Sequence, residues 1–231
     1  MTEDSAFRLL GPIMVGPSSS HTAGAVRIGR TARLLYGKLP KKVTVYFHGS
    51  FADTWKGHGS DNAIMGGLLG YHTFDRRIKE ADKYATEKGM DVTFKRINLG
   101  PDVHPNSIKI MIYENEDEPV VDLIGQSVGG GDIVISEILG YKTEITGESD
   151  TLILLHQDEM GTLSKITGII AEFNLNITSL RSKDIPQKNE ALTTIEIEQS
   201  APKKLQKELT TIAAMKMVRI LPQITKGEEM F

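Results

Sequence analysis

The sequence predicts an α+β protein with two domains, and three observations support this prediction. Its 231 residues suffice for two small hydrophobic cores at roughly 100–150 residues per domain. In the first 147 residues, strand and helix patterns mix without one-for-one alternation, which favours α+β over a doubly wound parallel sheet. After a polar segment at 144–150, the pattern β-α-β-β-α-β over residues 150–222 indicates a ferredoxin-like fold.

The first domain is predicted from alternating strands and three helices. Apolar and polar residues alternate in five strands, at 41–48, 91–97, 107–113, 119–127 and 132–138. Helices are predicted at 22–36, at 61–70 with Asp61 as its N-cap, and at 74–88 before Gly89. On the first helix we expect the arginines to face solvent, namely Arg27, Arg30 and Arg33.

Glycines and chain ends complete the predicted organisation. The Gly66-Gly67 pair predicts very close helix packing, and the triplet Gly129-Gly130-Gly131 predicts a bulge or a close approach between strands. In the second domain, strands are predicted at 151–156, 176–184, 191–199 and 216–224, with helices at 162–173 and 202–215. We therefore place the domains at 1–147 and 150–222 and expect a flexible tail at 223–231.

Composition excludes several classes of function. With 27 Lys+Arg against 30 Asp+Glu, the net charge is −3, which predicts no binding to nucleic acid or to an acidic membrane. The absence of cysteine excludes disulfides and cysteine-ligated metal from this chain, and it fits a reducing cytoplasm. The first ten residues lack the basic region of a secretory signal, and the uncharged stretch 9–26 carries prolines and serines unsuited to hydrocarbon. We expect a soluble cytoplasmic protein.

The first candidate site is the segment GPSSSHTAG at 16–24. Hydroxyl residues that enter a helix leave backbone N–H groups at the positive end of its dipole, which suits a carboxylate or a phosphate. An ordinary N-cap is the alternative, because serine and threonine are favoured there. One serine suffices for a cap, so the extra hydroxyls and the histidine favour anion binding by Ser18, Ser19, Ser20, His21 and Thr22.

Two further histidines lie in polar segments. His58 stands between Gly57 and Gly59 at the start of a predicted helix, where an imidazole with an ordinary pKa of ~6.5 exchanges protons at neutral pH. A loop histidine without a role is the alternative, and the sequence leaves both open. His104-Pro105-Asn106-Ser107 lies between two strands, and taken alone it favours a plain turn.

The fourth candidate lies in the second domain, at His156, Asp158 and Gly161 with Asn176 downstream. A strand, a glycine turn and a helix follow one another here, so the turn either binds a ligand or is a simple connection capped by Asp158. The remaining histidines, His48 and His72, are interpreted as structural. No histidine spacing fits a metal signature, so no metal ligand is predicted.

Taken in order, GPSSSHTAGAVRIGR, GSFADTWKGHGSD and VHPNS resemble the beta subunit of bacterial iron–sulfur-dependent L-serine dehydratase. The resemblance covers essentially the whole chain, because those subunits end in an ACT domain and residues 150–222 are similar to one. The first domain is also similar to the allosteric substrate-binding domain of some D-3-phosphoglycerate dehydrogenases. The family's KGHGTD reads KGHGSD here, which keeps the hydroxyl.

The resemblance implies an L-serine ammonia-lyase of amino-acid catabolism and gluconeogenesis, which forms pyruvate and ammonia without pyridoxal phosphate. A 4Fe-4S cluster, with ligands on an alpha subunit and none in this chain, activates the serine hydroxyl in a cleft that the heterodimer shares. His58 is implied as the base, with His21 as a second catalytic residue. The implied substrate-binding residues are Ser18, Ser19, Ser20, Thr22, His104 and Asn106.

For the second domain, the resemblance implies ACT-mediated dimerisation and a ligand at His156, Asp158, Gly161 and Asn176. Serine-sensing relatives carry His-x-Asn-x-Pro-Gly, whereas this chain has Asp158 and Met160 at the Asn and Pro positions. A carboxylate at 158 suits an amino group or a cation, and it repels a carboxylate. Asn176 keeps the position from which such domains contact a ligand across the dimer.

Two other functions stay open from the residues. One is a non-catalytic amino-acid sensor, with the first domain as an anion receptor and the ACT domain as regulator. The other is a stand-alone, metal-free lyase, which is disfavoured because nothing in the chain can activate a hydroxide leaving group.

Overall fold

The computed structural model describes residues 14–16, 18–115, 118–185 and 188–225. The predicted features at the N-terminal segment, at the centre of the acidic turn and at 226–231 therefore lie outside the described residues. The chain divides into two compact units, which change over between residues 140 and 147 and again at 224–225. Both units combine helices with a sheet, which confirms the α+β class.

The first unit is built on a mixed sheet of six strands in the order β2-β1-β3-β4-β5-β6. β1 and β2 pair in parallel, whereas β1 with β3, β3 with β4 and β4 with β5 are antiparallel. The strands are β1 (Lys42–Phe47), β2 (Asp91–Arg96), β3 (Ser107–Tyr113), β4 (Pro119–Gly129), β5 (Asp132–Ile138) and β6 (Tyr141–Ile145).

Helices complete the first unit. A π-helical turn (Ser19–Gly24) runs directly into α1 (Ala25–Tyr36), and α2 (Gly49–His58) is followed at once by α3 (Ser60–Leu68). A 3-10 turn (Arg76–Glu80) leads into α4 (Ala81–Glu87). α1 and α3 pack so closely that a Cβ added at Gly67 would overlap the carbonyl oxygen of Val26, which confirms the predicted close packing.

Three predictions for the first unit need correction. The segment GSFADTWKGH was not predicted as helical and forms α2, and β6 occupies part of the predicted polar linker. Arg27 was expected to face solvent but is 1% exposed. Its guanidinium donates to the carbonyl oxygen of Gly131 at 2.7 Å and to that of Thr225 at 3.3 Å, so these acceptors replace water.

The register between β4 and β5 shifts before Gly129, which confirms the predicted bulge at the glycine triplet.

The second unit has the predicted β-α-β-β-α-β order. Its strands are β7 (Asp150–Gln157), β8 (Ile177–Ile185), β9 (Glu190–Ile197) and β10 (Met215–Leu221), and its helices are α5 (Thr162–Glu172) and α6 (Lys203–Thr210). The sheet order β10-β7-β9-β8 is antiparallel at each pair, which confirms the ferredoxin-like fold. α6 ends five residues before the predicted helix because Ile212 and Ala214 turn back into the core formed by Leu152, Leu154, Ile166, Ile170 and Ile195.

The first residues after β10 are held by hydrogen bonds. The backbone N–H of Gln223 donates to Asp150 Oδ1 and that of Ile224 donates to the carbonyl oxygen of Gly147, each at 2.8 Å. Ile224 is 2% exposed. None of the helices in the described ranges is long and apolar enough to cross a membrane.

Candidate functional site

The first predicted motif forms the entry to α1. Ser18 has extended backbone angles and is the N-cap of the π-helical turn, where its Oγ accepts the backbone N–H of His21 at 3.1 Å. Ser18 is therefore an N-cap. The backbone N–H of His21, which was predicted to be free for an anion, is already bonded to it. Ser19 and Ser20 follow it half-buried, and Thr22 is 2% exposed.

Three serine hydroxyls surround His21. Ser18 Oγ lies 3.4 Å from Nδ1 of the His21 ring, and Ser50 Oγ lies 3.3 Å from Nε2. Ser60 Oγ donates to the backbone carbonyl oxygen of His21 at 2.9 Å. Because Ser50 is the second residue of α2 and Ser60 is the first residue of α3, the motifs GPSSSHT, GSF and KGHGSD meet at this one residue.

His58 is the last residue of α2, which corrects its predicted place at the start of a helix. Gly59 takes the left-handed conformation (φ 66°), which glycine adopts without strain, and so α2 stops and α3 starts at the next residue. This turn brings the His58 ring to 4.8 Å from the His21 ring, centroid to centroid, at an interplanar angle of 37°. His58 Nδ1 is buried and has no hydrogen-bond partner.

The His104-Pro105-Asn106 turn is bonded both to itself and to the site. His104 Nδ1 accepts the backbone N–H of Asn106 at 3.1 Å, so the proton of a neutral His104 ring lies on Nε2. The carbonyl oxygen of Pro105 accepts the backbone N–H of Ser50 at 2.9 Å, and that of Asn106 accepts the N–H of Ser127. The turn thus lies beside the Ser50 hydroxyl that contacts His21.

A cavity of about 250 Å³ opens between these segments. Of the predicted site residues, Thr22 and His58 are on its wall. The other lining residues are Val15, Gly16, Gly59, Asn62, Ile78 and Lys79. The cavity is large enough for a small amino acid, and its wall combines apolar side chains with a few polar groups, as small-molecule sites do.

Unpartnered polar atoms are concentrated at this site. In the described part of the chain, five buried side-chain atoms lack a hydrogen-bond partner, and three of them are Thr22 Oγ1, His58 Nδ1 and Ser127 Oγ. Ser127 Oγ packs against the π-helical turn, because a Cβ added at Gly24 would overlap it. Since most buried polar atoms are bonded, such a cluster indicates that a ligand or water completes the site.

The electrostatics of the pair set the charge of His21. Burial lowers the pKa of the His21 imidazole below its ordinary value, and the neighbouring His58 lowers that pKa further. His21 is therefore neutral at neutral pH. His58 lies at the C-terminus of α2, and its Nδ1 has no hydrogen-bond partner. The arrangement places the neutral imidazole of His21 beside a second imidazole that has an unpartnered ring nitrogen.

The structure leaves no ring nitrogen of His156 available to a ligand. His156 is 2% exposed, its Nδ1 lies 2.8 Å from the carbonyl oxygen of Gln157 and its Nε2 lies 2.8 Å from Thr193 Oγ1. The hydroxyl of Thr193 continues the chain to Ser182 Oγ at 2.8 Å. Because a carbonyl oxygen only accepts, Nδ1 carries the proton and Nε2 accepts from Thr193. The prediction that His156 binds an ACT ligand is thus not supported by direct access.

The other three predicted ACT residues do not converge within one chain. Asp158 is exposed and its backbone N–H donates to Asn189, while Gly161 has φ 83° at the N-cap of α5. Asn176 precedes β8, which starts at the opposite end of the sheet from the 158–161 turn, and its side chain donates to Glu198 at 3.0 Å. Contact across a dimer, as the resemblance implies, stays a prediction.

Sequence reasoning gave no role to several residues at the first site. Ser50 and Ser60 belong to the motifs GSF and KGHGSD, so their place in these motifs was a usable signal. Lys79 and Asn62 gave no signal, because a lysine on a charged helix and an asparagine after Asp61 fit a solvated surface equally well. Only the 3-10 turn at 76–80 brings Lys79 to the cavity.

The residues present do not fit an iron–sulfur cluster. Such clusters are held by cysteine thiolates, and the chain has no cysteine. In the residues that the structure describes, no group of three or more histidine or acidic side chains could hold a metal ion. No chemical step below is therefore derived through a metal in this chain.

Comparisons with known proteins agree along the chain. Residues 5–137 match the family model described as Serine dehydratase beta chain, and residues 151–214 match the ACT domain model. A Bacillus subtilis (strain 168) protein named probable L-serine dehydratase, beta chain, is 44% identical over 210 residues, which cover 90% of this chain and 93% of that protein. The L-serine dehydratase, beta chain, of Peptoniphilus asaccharolyticus is 42% identical and covers 86% of this chain and 89% of its own length.

Among solved structures, the ACT domain from GTP pyrophosphokinase of Chlorobium tepidum matches 31% of this chain and 95% of its own length. Its sequence identity is 19% and its TM-score is 0.28.

Proposed function

Since the chain belongs to the serine dehydratase beta chain family, we propose that it is the beta subunit of an L-serine ammonia-lyase. In this proposal it forms the substrate-binding and proton-abstracting side of an active site that an alpha subunit completes. The complex converts L-serine into pyruvate and ammonia in the cytoplasm.

The observation that carries the proposal is the unpartnered imidazole of His58 on the wall of the cavity. A general base must have a free lone pair within reach of the proton that it takes. His58 Nδ1 is buried without a partner, so a group that enters the cavity can bond to it. Neutral His21 beside it does not repel the positive charge that His58 gains.

The chemistry divides into steps, and this chain performs the first. His58 takes the proton from the α-carbon of serine, and the electron pair of that C–H bond forms a double bond to the β-carbon. Hydroxide leaves from the β-carbon, so the elements of water are lost and 2-aminoacrylate forms. Its imine tautomer is then hydrolysed to pyruvate and ammonia. The departing hydroxide needs activation, which no described residue of this chain provides and which the alpha subunit supplies in this proposal.

The carboxylate of serine needs a positive or donating partner. Thr22 Oγ1 is a buried, unpartnered hydroxyl on the cavity wall, and it can donate to a carboxylate oxygen. Lys79 is exposed at the edge of the cavity, and no described ion pair or hydrogen bond engages its ammonium group. We assign Thr22 and Lys79 to the carboxylate, with Ser18, Ser19, Ser20, His104 and Asn106 around them.

The second unit supplies regulation in this proposal. Its ferredoxin-like fold pairs with a second copy, and Asp158, Gly161 and Asn176 bind the ligand across that pair, while His156 supports the turn from inside. We propose domain limits of 1–147 and 150–222 for the two parts.

The experiment is to purify the chain alone and with a co-expressed alpha subunit under anaerobic conditions, and to measure pyruvate release from L-serine. We expect release from the pair, its loss on exposure to air as the cluster oxidises, and none from the chain alone. Pyruvate formation by the isolated, metal-stripped chain would contradict the shared site. Strong serine binding by the lone chain without activity in the pair would favour the amino-acid sensor instead.

A further inference from the structure

We propose that Ser50 is a positioning residue, whose hydroxyl holds the His21 ring against the ring of His58. This inference rests on the proposed function, because it concerns the same site and gives a role to a residue of the motif GSF for which neither the motifs nor the resemblance implied one. Ser50 is the second residue of α2, and His58 is the last residue of the same helix. One helix therefore carries both the proposed base and the hydroxyl that orients its neighbour.

The position of Ser50 is fixed by its backbone. Its N–H donates to the carbonyl oxygen of Pro105 at 2.9 Å, and a Cβ at the preceding Gly49 would come within 2.5 Å of the same oxygen. The start of α2 is thus seated on the His104-Pro105-Asn106 turn. The side-chain oxygen of Ser50 is then 3.3 Å from Nε2 of His21. The turn therefore supports the start of α2, although His104 and Asn106 are not on the cavity wall.

The three serines around His21 act on different atoms. Ser18 Oγ accepts the backbone N–H of His21 and caps the π-helical turn, so its removal disturbs the helix as well as the ring. Ser60 Oγ bonds to the carbonyl oxygen of His21 and does not touch the ring. The Ser50 hydroxyl contacts the His21 ring and neither of the His21 backbone groups that Ser18 and Ser60 bond. Replacing Ser50 is therefore the change that isolates ring orientation from helix capping.

Ring orientation matters because His21 lies between an aromatic side chain and the proposed base. Its ring centroid is 4.7 Å from that of Phe51 and 4.8 Å from that of His58. If the Nε2 bond is lost, the ring can turn about its Cβ–Cγ bond, and the surface against which His58 rests changes. We expect this to slow proton abstraction while leaving the groups that bind the carboxylate in place.

The first test measures orientation in the chain alone, without the alpha subunit. Histidine ring protons are observed by NMR in the wild type, in Ser50→Ala, in Ser50→Thr and in a control, Ser136→Ala. Ser136 is a half-buried serine whose hydroxyl bonds to the carbonyl oxygen of Ile124. We expect Ser50→Ala to lose the contact between the His21 and His58 ring protons and the ring-current shift from Phe51. Ser50→Thr and Ser136→Ala keep both signals. Retention of both signals in Ser50→Ala overturns the proposal.

The second test measures the rate with the assembled complex. We expect Ser50→Ala to lower kcat about tenfold with KM changed less than twofold, because the ring against which His58 rests loses the contact at its Nε2 while the groups assigned to the carboxylate stay in place. Ser50→Thr restores kcat, which a merely structural defect would not allow. An unchanged kcat in Ser50→Ala overturns the proposal even if the ring has moved. Full activity of His58→Ala would instead overturn the proposed function, and the NMR result on Ser50 would stand apart from it.

Discussion

The two units hold the ring nitrogens of their histidines in opposite ways. In the first unit, His58 keeps a buried Nδ1 without a partner, and Thr22 Oγ1 beside it on the cavity wall is also unpartnered. In the second unit, His156 lies near the end of β7, before the turn that leads to α5. Both of its ring nitrogens are bonded within the chain. Both histidines lie in sequence contexts that had suggested a ligand. Only the unpartnered one is left for a ligand to bond.

The difference is one of free energy. A buried polar group without a hydrogen bond costs about 1–3 kcal/mol, so a fold retains such groups where something else is gained. The first unit carries that cost at a cavity, and a substrate can repay it on binding. The second unit avoids the cost by linking His156 through Thr193 to Ser182, which stabilises the sheet. A histidine in a promising motif is therefore judged by its unmet hydrogen bonds rather than by the motif.

The largest expected effect comes from removing the unpartnered imidazole. His58→Ala in the assembled complex should lower kcat at least 100-fold, because general-base catalysis contributes about 10²–10⁴-fold. Folding should change little, since Nδ1 forms no hydrogen bond that would be lost. Turnover is followed by pyruvate release, and folding by the fluorescence of Trp55, the only tryptophan in the sequence, which lies in the same helix. His72→Ala is the control, since His72 stacks on Phe74 away from the cavity wall. Wild-type turnover in His58→Ala would show that the unpartnered imidazole is not needed for catalysis.

Removing the hydrogen-bonded imidazole of His156 should lower stability rather than turnover. His156→Leu should destabilise the second unit by about 1–3 kcal/mol without a hundredfold loss of kcat, because Thr193, which is 0% exposed, loses the group that accepts its hydroxyl proton. Amide hydrogen exchange in β7 and β9 measures the loss locally, which avoids assuming that both units unfold together.

A double-mutant cycle sharpens this second prediction. Thr193→Val should cost a similar amount, and the double variant should cost less than the sum, since the two side chains are bonded to each other. Full additivity would show that the two groups do not interact, and His156 would then need another explanation.

Much of the fold could be predicted from the sequence because local pattern determines it. From Ile108 to Tyr113, β3 alternates buried and half-buried residues, and period 2 detects this directly. α2 could not be predicted, because its glycines and polar residues have low helix propensity and it is held by tertiary contacts such as Phe51 and Trp55 against Phe47. Arg27 could not be placed either, since its partner at Gly131 lies 104 residues away.

The site was predictable as a set of motifs and not as a geometry. Hydroxyls and a histidine in excess of what a cap needs predicted anion binding at Ser18 to Thr22, whereas the roles of His58 and of the His104 turn were implied only by the family resemblance. Whether a given nitrogen is free depends on long-range contacts, such as His156 with Thr193, 37 residues apart. Lys79 was missed for the same reason, because a cavity is made by segments distant in sequence.

A smaller effect is expected at the rim of the cavity. Lys79→Ala should raise KM for L-serine about tenfold with kcat nearly unchanged, because it removes a charge-assisted bond to the carboxylate that solvent partly screens. Lys83→Ala is the matched control, since Lys83 is also exposed, follows Lys79 by four residues and is already paired with Glu80 at 2.6 Å. Equal KM values for the two variants would show that Lys79 does not bind substrate.

The smallest expected effect is the contribution of His21 to the pH dependence of the free energy of unfolding. The pKa of His21 is lowered in the folded chain, first by burial and then by His58, whereas the unfolded chain has the ordinary value of 6.5. Below pH 6.5 and above the lowered pKa, the unfolded state therefore binds a proton that the folded state does not, and stability falls as the pH falls through this window. His21→Asn should flatten that fall, by no more than about 1.4 kcal/mol per pH unit for one proton.

Denaturation followed by Trp55 fluorescence at pH 7.5 and pH 5.5 in the wild type and in His21→Asn measures this difference. If His21→Asn keeps the wild-type slope, His21 is not held neutral by its surroundings. His58 would then accept its proton beside a group that can itself be charged, and the pair would have to share one proton rather than divide the roles.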